Sequence, residues 1–186
     1  MRKILLGTAL FLTLGASAQV TMRQVFKDMP QTMIPYMTGN NRLDMIDFID
    51  SNMKAEVRNE MDGKSEMKIL TDDYAFLTLN EASTLEMRLL DVNEEVDSTR
   101  QVVCVVRTFG SDIRESTVDF YSVRWRKLET ATYVQLPFVH FLAKLDERDR
   151  TLTLKSLNDF ERPASEEQKV MDEVQKTFKW NGEVFN

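Results

Sequence analysis

The spacing of hydrophobic residues changes near Lys54, and this change constrains the fold more than any other feature of the sequence. Before Lys54, apolar residues recur at the helical period, whereas from Ala55 to Ile69 apolar or small residues alternate with charged ones. A period of 3.6 is typical of amphipathic helices, and a period of two is typical of strands with one buried face. We therefore predict an α+β fold in which an antiparallel meander sheet carries helices packed mainly on one face.

Three aspartates mark the helical part, in the stretch NNRLDMIDFIDSN at residues 40–52. On a helix from about Arg42 to Met53, capped by Asn40 or Asn41, Asp44, Asp47 and Asp50 lie on one side. The opposite arc holds Met45, Ile46, Ile49 and Met53. This spacing favours a solvated helix face, and an acidic metal site is the alternative. Upstream, Val25 and Phe26 predict a short helix, which Pro30 and Pro35 prevent from continuing.

The segment KAEVRNEMDGKSEMKIL predicts a hairpin whose register follows from its charges. A three-residue turn at residues 61–63, with Gly63 in the left-handed conformation, pairs each charge with an opposite one. The predicted pairs are Glu60 with Lys64, Arg58 with Glu66, Glu56 with Lys68, Val57 with Met67, and Ala55 with Ile69. A two-residue turn would mix the two faces, which the alternation forbids.

Further strands are predicted at YAFLTL, TLEMRLL, RQVVCVVRTF, IRESTVDFYSVRW and TLTLKSL. The unbroken apolar run from Val102 to Val106 indicates a central strand buried on both sides. A short helix is expected around residues 138–142. A capping box of Ser165 with Gln168 predicts a helix from Ser165 to Phe178. A closing hairpin is expected at Asn181-Gly182.

The first eighteen residues predict a secretory signal peptide. Arg2 and Lys3 precede an apolar run that ends at Ala16-Ser17-Ala18, so residues 1–18 form the expected leader, cut before Gln19. The mature chain, residues 19–186, is then expected to be a single α+β domain. Loss of the leader lowers the net charge from −6 to −8, a balance that disfavours nucleic acid and anionic membranes. No later stretch is long enough to insert into a membrane.

The reactive residue types are scarce. One histidine, His140, and one cysteine, Cys104, cannot form the usual zinc clusters. We interpret His140 as a packed or rim histidine and Cys104 as an inert core thiol. No serine stands in a G-x-S-x-G elbow, and no glycine-rich phosphate loop is present.

Four weaker signals leave alternatives open. DVNEEVD at residues 91–97 imitates the opening of a calcium loop but lacks its glycine and final glutamate. Eight methionines between Met22 and Met67 suit adaptable core filling, with a Cu(I) site as the alternative. Aromatic residues around Phe120, Tyr121 and Trp125 form either a core strand or a sugar- or peptide-binding groove. An acidic pair such as Asp72 with Asp73 serves a hydrolase only if carboxylates converge in a pocket and one has a raised pKa.

The block TGNNRLDMIDFIDSNMKAEV, followed by GKSEM, LTDDY and EMRLL, resembles a family of small exported proteins from Gram-negative anaerobes, the domain of unknown function 3256 type. The resemblance covers most of the mature chain and is strongest from about Asp28 to Tyr121. It implies an exported single-domain protein. The family supplies no activity and no catalytic residue to carry over.

These observations favour an exported, non-catalytic binding or interaction module of the periplasm or cell surface. We assign no catalytic, cofactor-binding or metal-binding residues and no cofactor. The expected partner is a protein, peptide or glycan of the cell envelope. The alternatives are a hydrolase or glycan-processing enzyme that uses acidic residues, and a methionine-based Cu(I) binder.

Overall fold

Two short α-helices lead into the sheet. The computed structural model describes residues 19–157 and 175–186 and places α1 at Met22–Lys27 and α2 at Gly39–Asp50, with a 3-10 helix at Gln31–Met33 between them. The Thr38 side chain accepts from the Asn41 amide, and the Asn41 side chain accepts from the Thr38 amide. This capping box fixes the start of α2 at Gly39, so the cap is Thr38 rather than Asn40 or Asn41.

The solvated face predicted for α2 is confirmed, because Asp44, Asp47 and Asp50 are all exposed. Met53, however, is 58% exposed and does not join the core. The helix ends at Asp50, and Asn52 adopts a left-handed backbone with φ 54°. Met53 therefore lies beyond the helix, and the helical spacing that predicted its burial does not hold there.

Within the described residues, ten strands form two antiparallel sheets, so the predicted antiparallel meander is confirmed. The larger sheet follows chain order and consists of β1 (Ala55–Arg58), β2 (Lys64–Leu70), β3 (Tyr74–Asn80), β4 (Ser83–Val96), β5 (Thr99–Phe109), β6 (Glu115–Ser122) and β7 (Lys127–Leu128). The smaller sheet has the order β10-β9-β8 and consists of β8 (Phe141–Leu145), β9 (Thr151–Ser156) and β10 (Gln175–Lys179).

The two faces of the larger sheet carry two separate cores. The first face packs residues such as Leu77 and Met87 in one cluster with Phe26 of α1 and Met45 of α2. The second face forms a cluster with β8 and β9. Strands therefore dominate the described residues, and the predicted α+β architecture with helices mainly on one face contained too much helix.

Strand β5 belongs to both cores, as its sequence predicts. Val103 and Val105 lie in the first cluster, whereas Val102, Cys104 and Val106 lie in the second. Strand β5 pairs with β4 along one edge and with β6 along the other, and each of its faces packs against one of the two clusters. Its central residues are therefore shielded from water. Its run of β-branched residues is typical of such a position.

The hairpin register differs from the prediction by two residues. Arg58 pairs with Lys64 and Glu56 with Glu66, so like charges stand opposite each other. The Asn59 side chain explains the longer loop, because its oxygen accepts from the amides of Met61 and Gly63. A shift of two preserves the faces, so the predicted alternation survives although the predicted pairs do not.

The predicted helix at residues 138–142 is wrong, because Phe141–Leu145 is the strand β8. Its buried residues alternate at Phe141, Ala143 and Leu145, which is the period of a strand. Of the predicted helix Ser165–Phe178, residues 165–174 lie outside the described residues. Gln175–Lys179 is the strand β10, paired with β9. The closing hairpin is confirmed by the bridge between Trp180 and Phe185.

No helix among the described residues is both long and apolar enough to cross a bilayer.

Candidate functional site

A cleft of about 730 Å³ opens between the second face of the larger sheet and strand β8. It exists because β8 packs over β4, β5 and β6, leaving the same face of β2 and β3 partly uncovered. Ile69 and Phe76, on β2 and β3, consequently remain half-buried and line the cleft together with Leu142 of β8. The volume lies within the range of pockets that hold small ligands or peptide segments.

Three polar side chains of the larger sheet hold β8 in place. We call this set the docking seam, and it consists of Ser116, Glu86 and Arg88. The Ala143 amide donates to Ser116 Oγ at 2.9 Å, and the Leu145 amide donates to Glu86 Oε2 at 2.8 Å. Both amides thus bond to side chains of the neighbouring sheet. These two amides of β8 therefore have acceptors although no further strand of the described residues pairs with this edge.

Arg88 completes the docking seam at the end of β8. Its guanidinium donates to the carbonyl oxygens of Asp146 at 3.2 Å and Glu147 at 2.6 Å, and to Asp73 Oδ2 at 2.9 Å. The Arg88 side chain is 3% exposed and lies 5.8 Å from the centre of the Tyr74 ring. Both Nη groups of Arg88 are paired in this way, which offsets much of the cost of burying its charge, whereas its buried Nε has no hydrogen-bond partner.

Glu86 is the buried carboxyl group of the cleft. It is 8% exposed and accepts from the Tyr74 hydroxyl at 3.3 Å as well as from Leu145. Burial raises the pKa of Glu86, while the two hydrogen bonds and nearby Lys144 oppose that rise. Burial and the Glu86 charge together raise the pKa of Tyr74. Tyr74 therefore acts as a hydrogen-bond donor and not as a base.

The sequence analysis missed Glu86, and the reason is visible in β4. Thr84, Glu86 and Arg88 alternate with buried leucine and methionine, a pattern that also describes a solvated strand face. Alternation alone does not show whether the polar face of a strand meets water or a second sheet. The signal that could have helped is Leu90, because an apolar residue ends the polar series on the same face.

The acidic pair Asp72 and Asp73 does not form a catalytic centre of the expected kind. Asp73 is occupied by the ion pair with Arg88, and Asp72 is exposed in the loop before β3. The cleft instead contains Glu86 from β4 and, at its rim, Glu147 from the turn after β8. The carboxyl groups that line a concave site are therefore not those that the sequence suggested.

The other reactive residues lie away from the cleft floor. Cys104 is fully buried, and burial raises its thiol pKa, as expected for an inert core thiol. His140 is a rim histidine, with a side chain 63% exposed and Nδ1 2.8 Å from Glu115 Oε1. The calcium-like segment ends in the turn between β4 and β5, where Asp97 binds Arg126 at 2.8 Å.

The aromatic residues around β6 are core residues. Phe120 faces the second cluster, where its ring stacks on Tyr133 with centres 4.7 Å apart, whereas Tyr121 and Trp125 belong to the first cluster. The Trp125 indole donates to the Val25 carbonyl oxygen at 2.9 Å. Because these rings lie on opposite faces, they do not line one groove.

The methionines divide between core and surface. Five of the eight in the N-terminal group are buried in the first cluster, namely Met22, Met29, Met37, Met45 and Met67. Met53 and Met61 are exposed. Within the part of the chain that the structure describes, no group of three or more His, Cys, Asp or Glu is placed to hold a metal ion.

Comparisons with known proteins agree with this fold. A family model described as "Protein of unknown function (DUF3256)" matches residues 13–159. A solved structure, described as a domain of an uncharacterized protein from Porphyromonas gingivalis W83, is similar with a TM-score of 0.72 and 19% sequence identity. The match covers 88% of this chain and 96% of that chain. At this identity the likeness shows the fold alone. No curated protein matches the sequence.

The raised pKa of Glu86 makes stability depend on pH in a defined direction. A carboxyl group with a higher pKa in the folded state binds its proton more tightly there, so its contribution favours folding at low pH. That contribution is lost as the pH rises from the ordinary glutamate range through the raised value. Glu86→Gln keeps an acceptor for Leu145 and cannot ionise. We therefore expect the variant to gain stability relative to the wild type as pH rises from about 4 to about 8.

Urea unfolding of both proteins across this pH range measures the difference. Glu86→Leu is the matched control, because it removes the charge and also the acceptor of the Leu145 amide. It should be about 1–3 kcal/mol less stable than Glu86→Gln at every pH, because neither variant ionises and only Gln keeps the acceptor. A stability difference between Glu86→Gln and wild type that is independent of pH would contradict the raised pKa.

Proposed function

The chain belongs to the family described as Protein of unknown function (DUF3256), and from this premise we propose that it is an exported binding module without catalytic activity. The single observation that carries the binding role is the cleft beside β8. It combines half-buried apolar residues with polar hydroxyls from Thr84 and Thr108 and with charged residues at its rim. Binding sites in proteins commonly have this mixture of apolar area and a few placed polar groups.

The polar side chains of the cleft wall already form hydrogen bonds within the protein, which supports a binding role over a catalytic one. Glu86 already bonds to the Leu145 amide and the Tyr74 hydroxyl, and Arg88 bonds to two carbonyl oxygens and Asp73. These groups fix the wall of the cleft. A rigid wall lowers the entropic cost of ordering a site when the ligand binds.

Export is supported by the leader sequence, residues 1–18, which lies outside the described residues. Its basic start, short apolar run and Ala16-Ser17-Ala18 end fit recognition and removal by a signal peptidase. The mature chain would begin at Gln19, which is also the first described residue. The partner would then be a protein, peptide or glycan of the cell envelope.

The cleavage site provides a test of export. In a Gram-negative host expressing the full chain, we expect the envelope or secreted fraction to contain a protein that begins at Gln19. Ala18→Arg should block processing, because a small residue is needed beside the cut. Ser17→Arg adds the same charge at the tolerant middle position and should be processed. N-terminal sequencing after fractionation decides the matter, and an uncut chain in the cytoplasm would contradict export.

A tryptophan placed in the cleft tests the binding role. Thr84→Trp fills space on the second face of β4, whereas Thr117→Trp makes the same change at an exposed position on the other face of the sheet. The immobilised mature wild type and Thr117→Trp should recover the same recurring partner from envelope extracts. Thr84→Trp should not recover it, while its thermal midpoint shows that it is folded. Equal recovery by all three proteins, or no recurring partner, would contradict a binding role for the cleft.

A hydrolase is the second candidate, and Glu86 is the observation that favours it. A buried carboxyl group with a raised pKa in a cleft, with Glu147 at the rim, meets part of the requirement for an acid and base pair. Hydrolysis of envelope glycans or peptides by the wild type, lost in both Glu86→Gln and Glu147→Gln, would establish this alternative and overturn the non-catalytic proposal.

A further inference from the structure

Three cationic side chains lie along the cleft without a direct ion pair to a carboxylate of the described residues. They are Arg114 before β6, Lys144 on β8 and Arg148 in the turn after β8. The ion pairs among residues 19–157 and 175–186 include none of the three. Arg114 Nε is also buried without a hydrogen-bond acceptor. The Nε atoms of Arg42, Arg88 and Arg107 are buried in the same way, so the case for a ligand rests on the unpaired charges and not on this donor.

The acidic groups of the cleft are mostly engaged elsewhere. Glu86 accepts from Leu145 and Tyr74, and Asp146 Oδ1 accepts from the amides of Arg148 and Asp149 at 2.8 and 2.7 Å. These turn amides lower the pKa of Asp146 and hold its charge in the turn. Glu147 is the remaining rim carboxylate. Among the described residues of the cleft, the groups free to meet a ligand are therefore three cations and one anion, in a protein whose formal net charge is −6.

The rest of the lining favours a peptide over a sugar chain. Ile69, Phe76 and Leu142 are half-buried and offer apolar contacts beside the cations. The described lining includes no tryptophan, and the Tyr74 ring is 3% exposed beneath the Arg88 guanidinium, so Phe76 is the one aromatic ring of this lining that is open to a sugar. A peptide can place an apolar side chain against this floor and acidic side chains against the rim.

We infer that the cleft binds an extended acidic peptide segment, with apolar side chains on Ile69 and Phe76 and carboxylates on Arg114, Lys144 and Arg148. This inference rests on the proposed binding function and specifies its ligand class. The peptide does not join β8 as a new strand, because Ser116 and Glu86 already accept from the Ala143 and Leu145 amides. Recognition is by side chains and is weakened by salt.

Fluorescence anisotropy with a labelled peptide of alternating leucine and glutamate tests the inference on the mature chain. The wild type should bind this peptide, and should not bind the analogue with lysine in place of glutamate. The double variant Lys144→Glu with Arg148→Glu should bind at least about tenfold more weakly, since it reverses two rim charges. Arg100→Glu, an exposed charge reversal at the start of β5, should bind as the wild type does.

Thermal unfolding of each variant checks the fold, and both altered rim positions are exposed, which keeps the risk of unfolding low. Three results would overturn the inference: no binding of the acidic peptide, equal binding of the basic analogue, or equal weakening by Arg100→Glu. Oligogalacturonate, an acidic sugar chain, is measured in parallel to distinguish a peptide ligand from a glycan ligand. If the protein binds oligogalacturonate and not the acidic peptide, the ligand is a glycan. The acidic peptide could fail to bind while the wild type still recovers a partner that Thr84→Trp does not recover. That pair of results would reject the acidic-peptide ligand and leave the proposed binding role of the cleft intact.

Discussion

Hydrogen bonds from side chains of one sheet to the backbone of the other are the interaction on which the rest of this structure depends. Ser116, Glu86 and Arg88 bind the amides and carbonyl oxygens of β8 and its following turn. Apolar packing brings the two sheets together without fixing their relative position, because hydrophobic attraction is not directional. The docking seam supplies the direction, since each bond requires a particular backbone group at a particular side chain.

The position of β8 then determines the cleft. Since β8 covers β4 to β6, the second face of β2 and β3 is left beside a strand edge and a charged turn. The same bonds explain why Glu86 is retained in a buried place where its charge is costly: it holds Leu145 and Tyr74 while it faces the cleft. Glu86 therefore both holds β8 in place and forms part of the wall of the candidate binding cleft.

Some of the fold could be predicted because the responsible signals are local. The valine run of β5 and the spacing of aspartates in α2 each reflect the burial of a single element. The hairpin register could not be predicted from charge pairing, because exposed charge pairs are weak and the Asn59 side chain decides the loop. Strand β8 is held by Ser116 and Glu86, and β10 pairs with β9; these contacts join residues that are distant in sequence. The cleft was hidden for the same reason, since its polar residues look solvated until the second sheet covers them.

Hydrogen exchange at two backbone amides measures the central claim most directly. If Ser116 and Glu86 accept from Ala143 and Leu145, these amides should exchange slowly, although neither donates to the neighbouring strand β9. NMR detection in the mature wild-type chain resolves both amides individually. Protection comparable to that of the amides of β5 is the predicted result. Exchange at the rate of an open strand edge would show that the docking seam does not hold β8 in place, and the account of the cleft would fail with it.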